Sequence, residues 1–579
     1  MSCQRLNLIR IAALTAMLLA LDACKFTNGP PPTENEAADP PEVVIGERLF
    51  KDTRFGHYFA AQSGGDVNAS LGVGESVVED VKTLGQPLPG PMAGEAVNCL
   101  QCHLVEQLAG TAGGGMRAYA DFAARSPMPA RAEDTLHGGF TARNAASMVN
   151  DARHGGVDRV LHWDGEFGSM QDLVTATLTG RNFGWMPGEQ EQAVHHVAQV
   201  IRFDSGEGAL ARSFGALPYR VVLSCTDQNI PAIYRLPKSY CLDVAQASDA
   251  ELEAAVAKLI AAYVDSLSFF QDEDGRFNGS PFDQFLIDNH LQREPAAGQS
   301  PHDYSAALLR ALDARKDLKP VECCTQYSGG KAFAFHGGRP FKFGAAELRG
   351  LHIFLARPVG GGAPAPTELA QGGIGNCAAC HAPPEFSDFG MHNTGVAQAE
   401  YDGVHGAGGF MALNVPTLPQ RDADPDKYLP VTPQHPHARE PFRAASIAAD
   451  PDKADLGAWN IFANPDFARR KASLRKFLCA IDTHEFADCG AGDAALLDRS
   501  LGVFKTRVLR DMGDSAPFMH DGGFDTLEQV VRFYQHAGRL ARAGQLRNAD
   551  PAMQGVVLND GDVADLAAFL GSLDEDYSD

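Results

Sequence analysis

Positive charge is scarce in this chain. Against 73 Asp and Glu stand only 49 Lys and Arg, a formal net charge of −24 over 579 residues. That balance argues against nucleic acid and against anionic membrane surfaces as partners, and it would suit a basic protein partner. Strict alternation of apolar and polar residues is also lacking, which leaves room for short ribbons at most. The apolar run Ile11 to Leu21 is too short to span a bilayer. The rest of the composition is ordinary: 44% hydrophobic and 21% charged residues describe a folded chain, long enough for two or more cores.

Arg5 and Arg10 precede that apolar run, and together they read as an export signal over residues 1–23. The segment ends in Leu21-Asp22-Ala23-Cys24, which resembles a lipoprotein box except that Asp22 replaces a small or β-branched residue. Lipid attachment at Cys24 and simple cleavage both remain open. Either outcome puts the protein outside the cytoplasm, periplasmic or anchored at the outer membrane. Residues 24–43, rich in Pro and acidic residues, read as a flexible tether. In an oxidising compartment Cys225 with Cys241, and Cys479 with Cys489, are expected to form local disulfides. Cys323 and Cys324 are adjacent and stay unassigned.

Two short strings carry the chemistry: Cys99-Leu-Gln-Cys102-His103 and Cys377-Ala-Ala-Cys380-His381. C-x-x-C-H is the attachment signature of c-type haem. Two thiols one turn apart add to the two vinyl groups of one porphyrin, and the adjacent imidazole ligates the iron. A zinc site would use both Cys pairs without needing a His after each, and a thioredoxin-like redox pair would need one copy. Two complete motifs therefore predict two covalent haems, with His103 and His381 as proximal ligands.

Around these motifs the periodicity is helical. Ser248 and Glu251 form a capping box, and Leu252, Val256, Leu259, Ile260 and Tyr263 share a face. Val194, Val197, Val200 and Ile201 make another stripe, with His195 and His196 beside it as solvated or packed residues. Val563, Leu566, Phe569 and Leu570 give a closing helix. Thr526 and Gln529 cap a helix that places Leu527, Val530, Val531 and Tyr534 on its buried side, with Gly538 available as its C-cap. The reading is an all-α protein of two c-type cytochrome domains with loop-rich insertions, residues 44–343 and 344–579.

The chain resembles the bacterial dihaem cytochrome c peroxidase and MauG family. The resemblance lies in Ile45-Gly-Glu-Arg-Leu-Phe, Arg143-Asn144-Ala145, His162-Trp163-Asp164-Gly165, Ser280-Pro-Phe-Asp-Gln-Phe-Leu, Phe386-Ser-Asp-Phe-Gly-Met-His-Asn-Thr-Gly, Phe504-Lys-Thr-Arg-Val-Leu-Arg and Ala516-Pro-Phe-Met-His-Asp-Gly-Gly. It implies that Trp163 is the tryptophan lying between the haems, and that Tyr534 occupies the position ligating the second iron, a Met in the peroxidases and a Tyr in MauG. A packed core tyrosine is the other reading of Tyr534; Met519 and His520 are alternative distal groups. His137 matches loosely a displaceable distal ligand of the first haem, and a free loop histidine is the competing reading. The resemblance also implies a calcium ion held by Asn144 and by the carbonyls of Ser515 and Pro517.

One part of the pattern fails. The Gln and Pro that line the peroxide site in the family fall near Leu173 and Thr177 here, and the catalytic Glu falls within Phe183-Gly-Trp-Met-Pro-Gly. Glu189 is the nearest carboxylate, either the displaced acid or a solvated helix-start residue. The resemblance implies a haem oxidoreductase that uses hydrogen peroxide and a small electron-donor protein, a cytochrome or cupredoxin, or else an oxidisable protein substrate. A dihaem oxygenase resembling the rubber oxygenases and a dihaem electron carrier are the alternatives.

Overall fold

A computed structural model describes residues 39–69, 98–99, 103, 141, 143–149, 158–227, 229–323, 334–335, 340–483, 485–512, 515–575 and 577–578. The export signal, Cys24, Cys102, His137 and Cys324 lie outside them, as does the side chain of Cys323. Among the described residues the chain is mostly helical, and its strands form three two-stranded antiparallel ribbons. No described helix is long and apolar enough to cross a membrane.

Two helix pairs frame the molecule. Helix α1 (Pro41–Phe50) starts on a proline at its first position and lies against the long helix later in the chain that is capped by Ser248. Between them come α2 (Met170–Leu178) and α3 (Gln190–Phe203), and the Ser248-capped helix is α4 (Asp249–Ser266). The expected face of α4 is the buried one: Leu252, Val256, Leu259 and Ile260 are at most 1% exposed. His195 is exposed and paired with Asp249, while His196 bonds the Arg54 carbonyl, and neither lines the cavity of His103 or that of His381.

The second pair is α7 (Ala345–Leu355) against α10 (Asp560–Gly571). Helices α5 (Pro281–Asp288) and α6 (Pro301–Asp313) pack with this pair, through Phe282, Phe285, Tyr304 and Leu308, although they precede residue 344. Phe285 stacks on Phe343 at 4.2 Å, and Phe282 meets Phe386 and Phe569 edge-on at 5.4 and 5.8 Å. A third core gathers around Trp459 and α8 (Lys471–Thr483). Both expected disulfides are present, Cys225–Cys241 and Cys479–Cys489.

Helix α9 (Leu527–Arg542) has the capping box read from Thr526 and Gln529, but it does not end at Gly538. Gly538 is an interior position where a side chain would collide with the Val556 carbonyl, and the left-handed Gly544 follows the true end at Ala543. The glycine marks a close approach of backbones rather than a cap.

Gly46 and Gly350 play the same part at the two helix crossings. A Cβ at Gly46 would strike the Leu259 carbonyl, and one at Gly350 the Asp565 carbonyl. We predict that Gly350→Ala destabilises the holoprotein by about 1–3 kcal/mol or more through overpacking. Gly403→Ala, on an exposed helical turn with nothing within 4 Å, should be neutral or stabilising by up to ~1 kcal/mol. Thermal unfolding midpoints of the two variants check this; equal midpoints would refute the crossing argument.

Candidate functional site: two cavities sharing one indole

The second C-x-x-C-H motif lies in a tight turn, Cys377–Ala379, entered through the left-handed Asn376 and closed by a bond from the His381 N–H to the Cys377 carbonyl at 2.8 Å. Cys377 and Cys380 form no disulfide, and both line a largely apolar cavity of about 250 Å³ with His381. The His381 Nδ1 faces the Phe386 carbonyl at 2.9 Å. That contact fixes the ring so that Nε2 is left for a metal, and burial lowers the imidazole below its ordinary pKa, favouring the neutral ligating form. Two unpaired thiols, an oriented imidazole and apolar walls fit a thioether-linked haem.

Tyr534 projects from α9 into the same cavity, on the buried side as its spacing required. Burial pushes its phenol well up, beyond what a hydrogen bond to Thr394 offsets, so only a cation at the phenol oxygen would make it a phenolate. Met519 and His520 line the cavity as well. His520 is stacked on Phe504 at 3.7 Å and stands 6.3 Å from Trp163, with its Nε2 3.9 Å from Asp455. His392, unremarked in the sequence, also lines this cavity, clamped by Asp550 at 2.6 Å and Asp388 at 2.8 Å.

His103 lines a second, larger cavity of about 520 Å³. It repeats the proximal arrangement: its N–H bonds the Cys99 carbonyl and its Nδ1 faces the Ala146 carbonyl, both at 2.9 Å. Leu173, Thr177 and Gln190 line this cavity, whereas Glu189 turns back to accept the Met186 N–H at 2.7 Å. Glu189 stands at the head of α3, but its carboxylate closes the preceding turn on Met186 rather than capping the helix. The carboxylates that do line the cavity are Glu166, Glu440 and Asp466.

Trp163 lines both cavities. Its Nε1–H donates to the Asn144 carbonyl at 3.0 Å, its own carbonyl accepts from Lys505 at 2.8 Å, and the Arg507 guanidinium lies 4.7 Å from the ring centroid. The Asn144 amide donates to the Pro517 carbonyl at 2.6 Å, and Ser515, itself buried, lines the His381 cavity with them. Asn144 Oδ1 is buried without a hydrogen-bond partner. As the side chain stands its nitrogen faces the carbonyls of Pro517 and Met519; the amide turned over would offer Oδ1 beside the Pro517 carbonyl, a pair of hard oxygens that fits calcium.

A buried ladder of charge runs beside the indole. Arg143 donates to Asp455 at 2.6 and 2.8 Å and to Asp164 at 2.6 Å; Arg443 reaches Asp164 at 3.2 Å and also bonds Glu166. Burial alone would raise the Asp455 carboxyl, but Arg143 brings it down to about 2.

No family model matches the chain. A stretch of 90 residues is 37% identical to cytochrome-c peroxidase IdrP2 of Pseudomonas sp. (strain SCT). The chain is similar to the bacterial cytochrome c peroxidases. The matched stretch is 16% of this chain and 22% of that relative. Among solved structures, a MauG-like protein associated with microbial copper homeostasis aligns over 94% of this chain and 93% of its own at 15% identity and a TM-score of 0.40. The diheme peroxidase BthA from Burkholderia thailandensis E264 aligns over 94% and 89% at 13% identity and a TM-score of 0.38.

Arg143→Met would leave Asp164 short of one cation and Asp455 facing only His520. We predict a loss of about 3–5 kcal/mol at neutral pH. Asp455 is depressed from its ordinary 3.8, so its contribution is present above that value and is lost as pH falls toward 2. The stability gap between wild type and variant should therefore close below about pH 4, which melts across pH would reveal. A gap independent of pH would refute it.

Proposed function

We propose that the protein is an exported dihaem c-type oxidoreductase that reduces hydrogen peroxide at the first haem, with electrons relayed from the second through Trp163. The observation that carries this reading is the single indole lining the cavities of both His103 and His381. Cys99, Cys102, Cys377 and Cys380 would hold the two haems through thioethers, and His103 and His381 would ligate them. With His137 off the iron, the larger cavity leaves the first haem open to a small oxidant. Once bound, the haems supply the electrons that break the O–O bond.

Tyr534 is read as the second ligand of the second haem. A phenolate there stabilises ferric and more oxidised iron, which favours a MauG-like style of storing oxidising equivalents. Calcium at Asn144, Ser515 and Pro517 would hold the loop that carries Asn144 against the segment after Phe504, and so hold the acceptor of the Trp163 N–H. The electron donor is read as a small cytochrome or cupredoxin, or an oxidisable protein. A net charge of −24 suits a basic one. The protein would act in the periplasm or from a lipid anchor at Cys24.

The test is a peroxide titration of the purified holoprotein followed by optical and EPR spectroscopy. One high-spin open iron that reacts with peroxide, followed by a change at the second haem, is expected. Trp163→Phe should slow that second change about tenfold or more, ~1.4 kcal/mol of barrier, with peroxide binding unaffected. Two low-spin irons indifferent to peroxide would sink the reading, and so would an oxygen-bound spectrum persisting in air.

A further inference from the structure

Reduction of peroxide needs a group that moves a proton from the inner to the outer oxygen. The position expected to supply it holds no carboxylate here, and Glu189 is turned away. The cavity of His103 holds a different device. His162 and Glu166 stand at the two ends of a tight turn closed by the pairing of Leu161 with Phe167, and both line that cavity. His162 Nδ1 meets Glu166 at 2.9 Å, and Phe167 packs edge-on to the imidazole at 5.0 Å. His162 also adopts a left-handed backbone conformation, φ 60°, which a non-glycine residue rarely holds without surrounding constraint.

Arg443 completes the device from the other wall by bonding Glu166. Burial alone would raise the Glu166 carboxyl, but Arg443 and His162 hold it well below the usual carboxylate range. An ionised carboxylate on Nδ1 selects the tautomer with its proton there, leaving the Nε2 lone pair as a base. We propose that His162 is the acid–base group of the open haem's cavity, with Glu166 as its positioning residue. This rests on the peroxide reading above. His162 Nε2 takes the proton from the inner oxygen of hydrogen peroxide and returns it to the outer oxygen. The O–O bond breaks and the outer oxygen leaves as water. Two electrons, drawn through the haems from the one-electron donor protein, and two solvent protons turn the inner oxygen into the second water.

The cavity offers two further carboxylates, and both already have partners. Asp466 accepts the Thr432 hydroxyl at 2.5 Å, and Glu440 lies 3.8 Å from Arg181 and accepts the Val431 N–H at 3.3 Å. The remaining charged or titratable groups facing the cavity are Arg143, Arg181, Arg507 and the proximal His103.

The test measures cyanide association to the oxidised holoprotein alongside the peroxide reaction, because HCN must surrender its proton to bind as the anion. His162→Gln should slow peroxide reduction roughly 100-fold. It should also slow cyanide association at least tenfold and flatten its dependence on pH, because glutamine cannot take up the proton of HCN. Glu166→Gln should give a smaller loss and a displaced pH profile, and His162→Glu should restore part of the rate. An unchanged spectrum of the second haem verifies that each variant is folded. Cyanide kinetics in His162→Gln that match wild type would overturn the proposal, as would Glu440→Gln carrying the loss instead. If the wild type ignores peroxide while His162→Gln still loses its cyanide pH profile, the peroxide reading fails and the acid–base assignment stands.

Discussion

The guanidinium of Arg143 is the constraint on which the site depends. It is buried, shared between Asp455 and Asp164, and it joins a segment from the first half of the chain to a loop more than three hundred residues later. Its neighbour Asn144 accepts the Trp163 N–H and donates to Pro517, and Asp164 follows Trp163 directly. One buried cation thus fixes the indole from both sides in sequence. Buried ion pairs seldom add net stability over an apolar packing of the same volume, because desolvation consumes most of the Coulombic gain. What they impose is geometry, since a carboxylate left without its cation in that interior is strongly penalised. An electron-transfer path needs that kind of positional demand more than it needs extra stability.

The features legible in the sequence are those whose chemistry is local. Thioether attachment requires two thiols one turn apart, so Cys377, Cys380 and His381 are readable from five residues. Capping boxes close within one turn, so the starts of α4 and α9 were equally plain. The same locality explains the failures. Glycine signals a cap only when nothing closer explains it, and Gly538 is required by Val556, which no local pattern shows. Arg443 and Asp455 belong to no motif, and their partners lie 277 and 312 residues away. Glu189 is the nearest carboxylate in sequence to the expected acid, yet its side chain is taken up by the Met186 N–H of the turn before α3. Glu166 was within reach, since it stands four residues after His162 and directly follows the string that held Trp163. Its role emerges only when Arg443 is seen against it.

The surroundings of Trp163 bear on how a relay through it would work. A guanidinium 4.7 Å from the ring centroid stabilises the neutral, electron-rich indole and makes removing an electron from it harder. The carbonyl of Asn144 acts in the opposite sense, because a hydrogen bond from Nε1–H strengthens as the ring becomes positive. The two influences are carried by groups lining both cavities, so each responds to charge on either side. Where the cation outweighs the carbonyl, a hole on the indole would be costly and short-lived. In the proposed relay, oxidising equivalents would then rest at the haems rather than on the indole. In the proposed oxidoreductase that division would also spare the fold, because a long-lived radical on an interior indole would damage the structure that positions it.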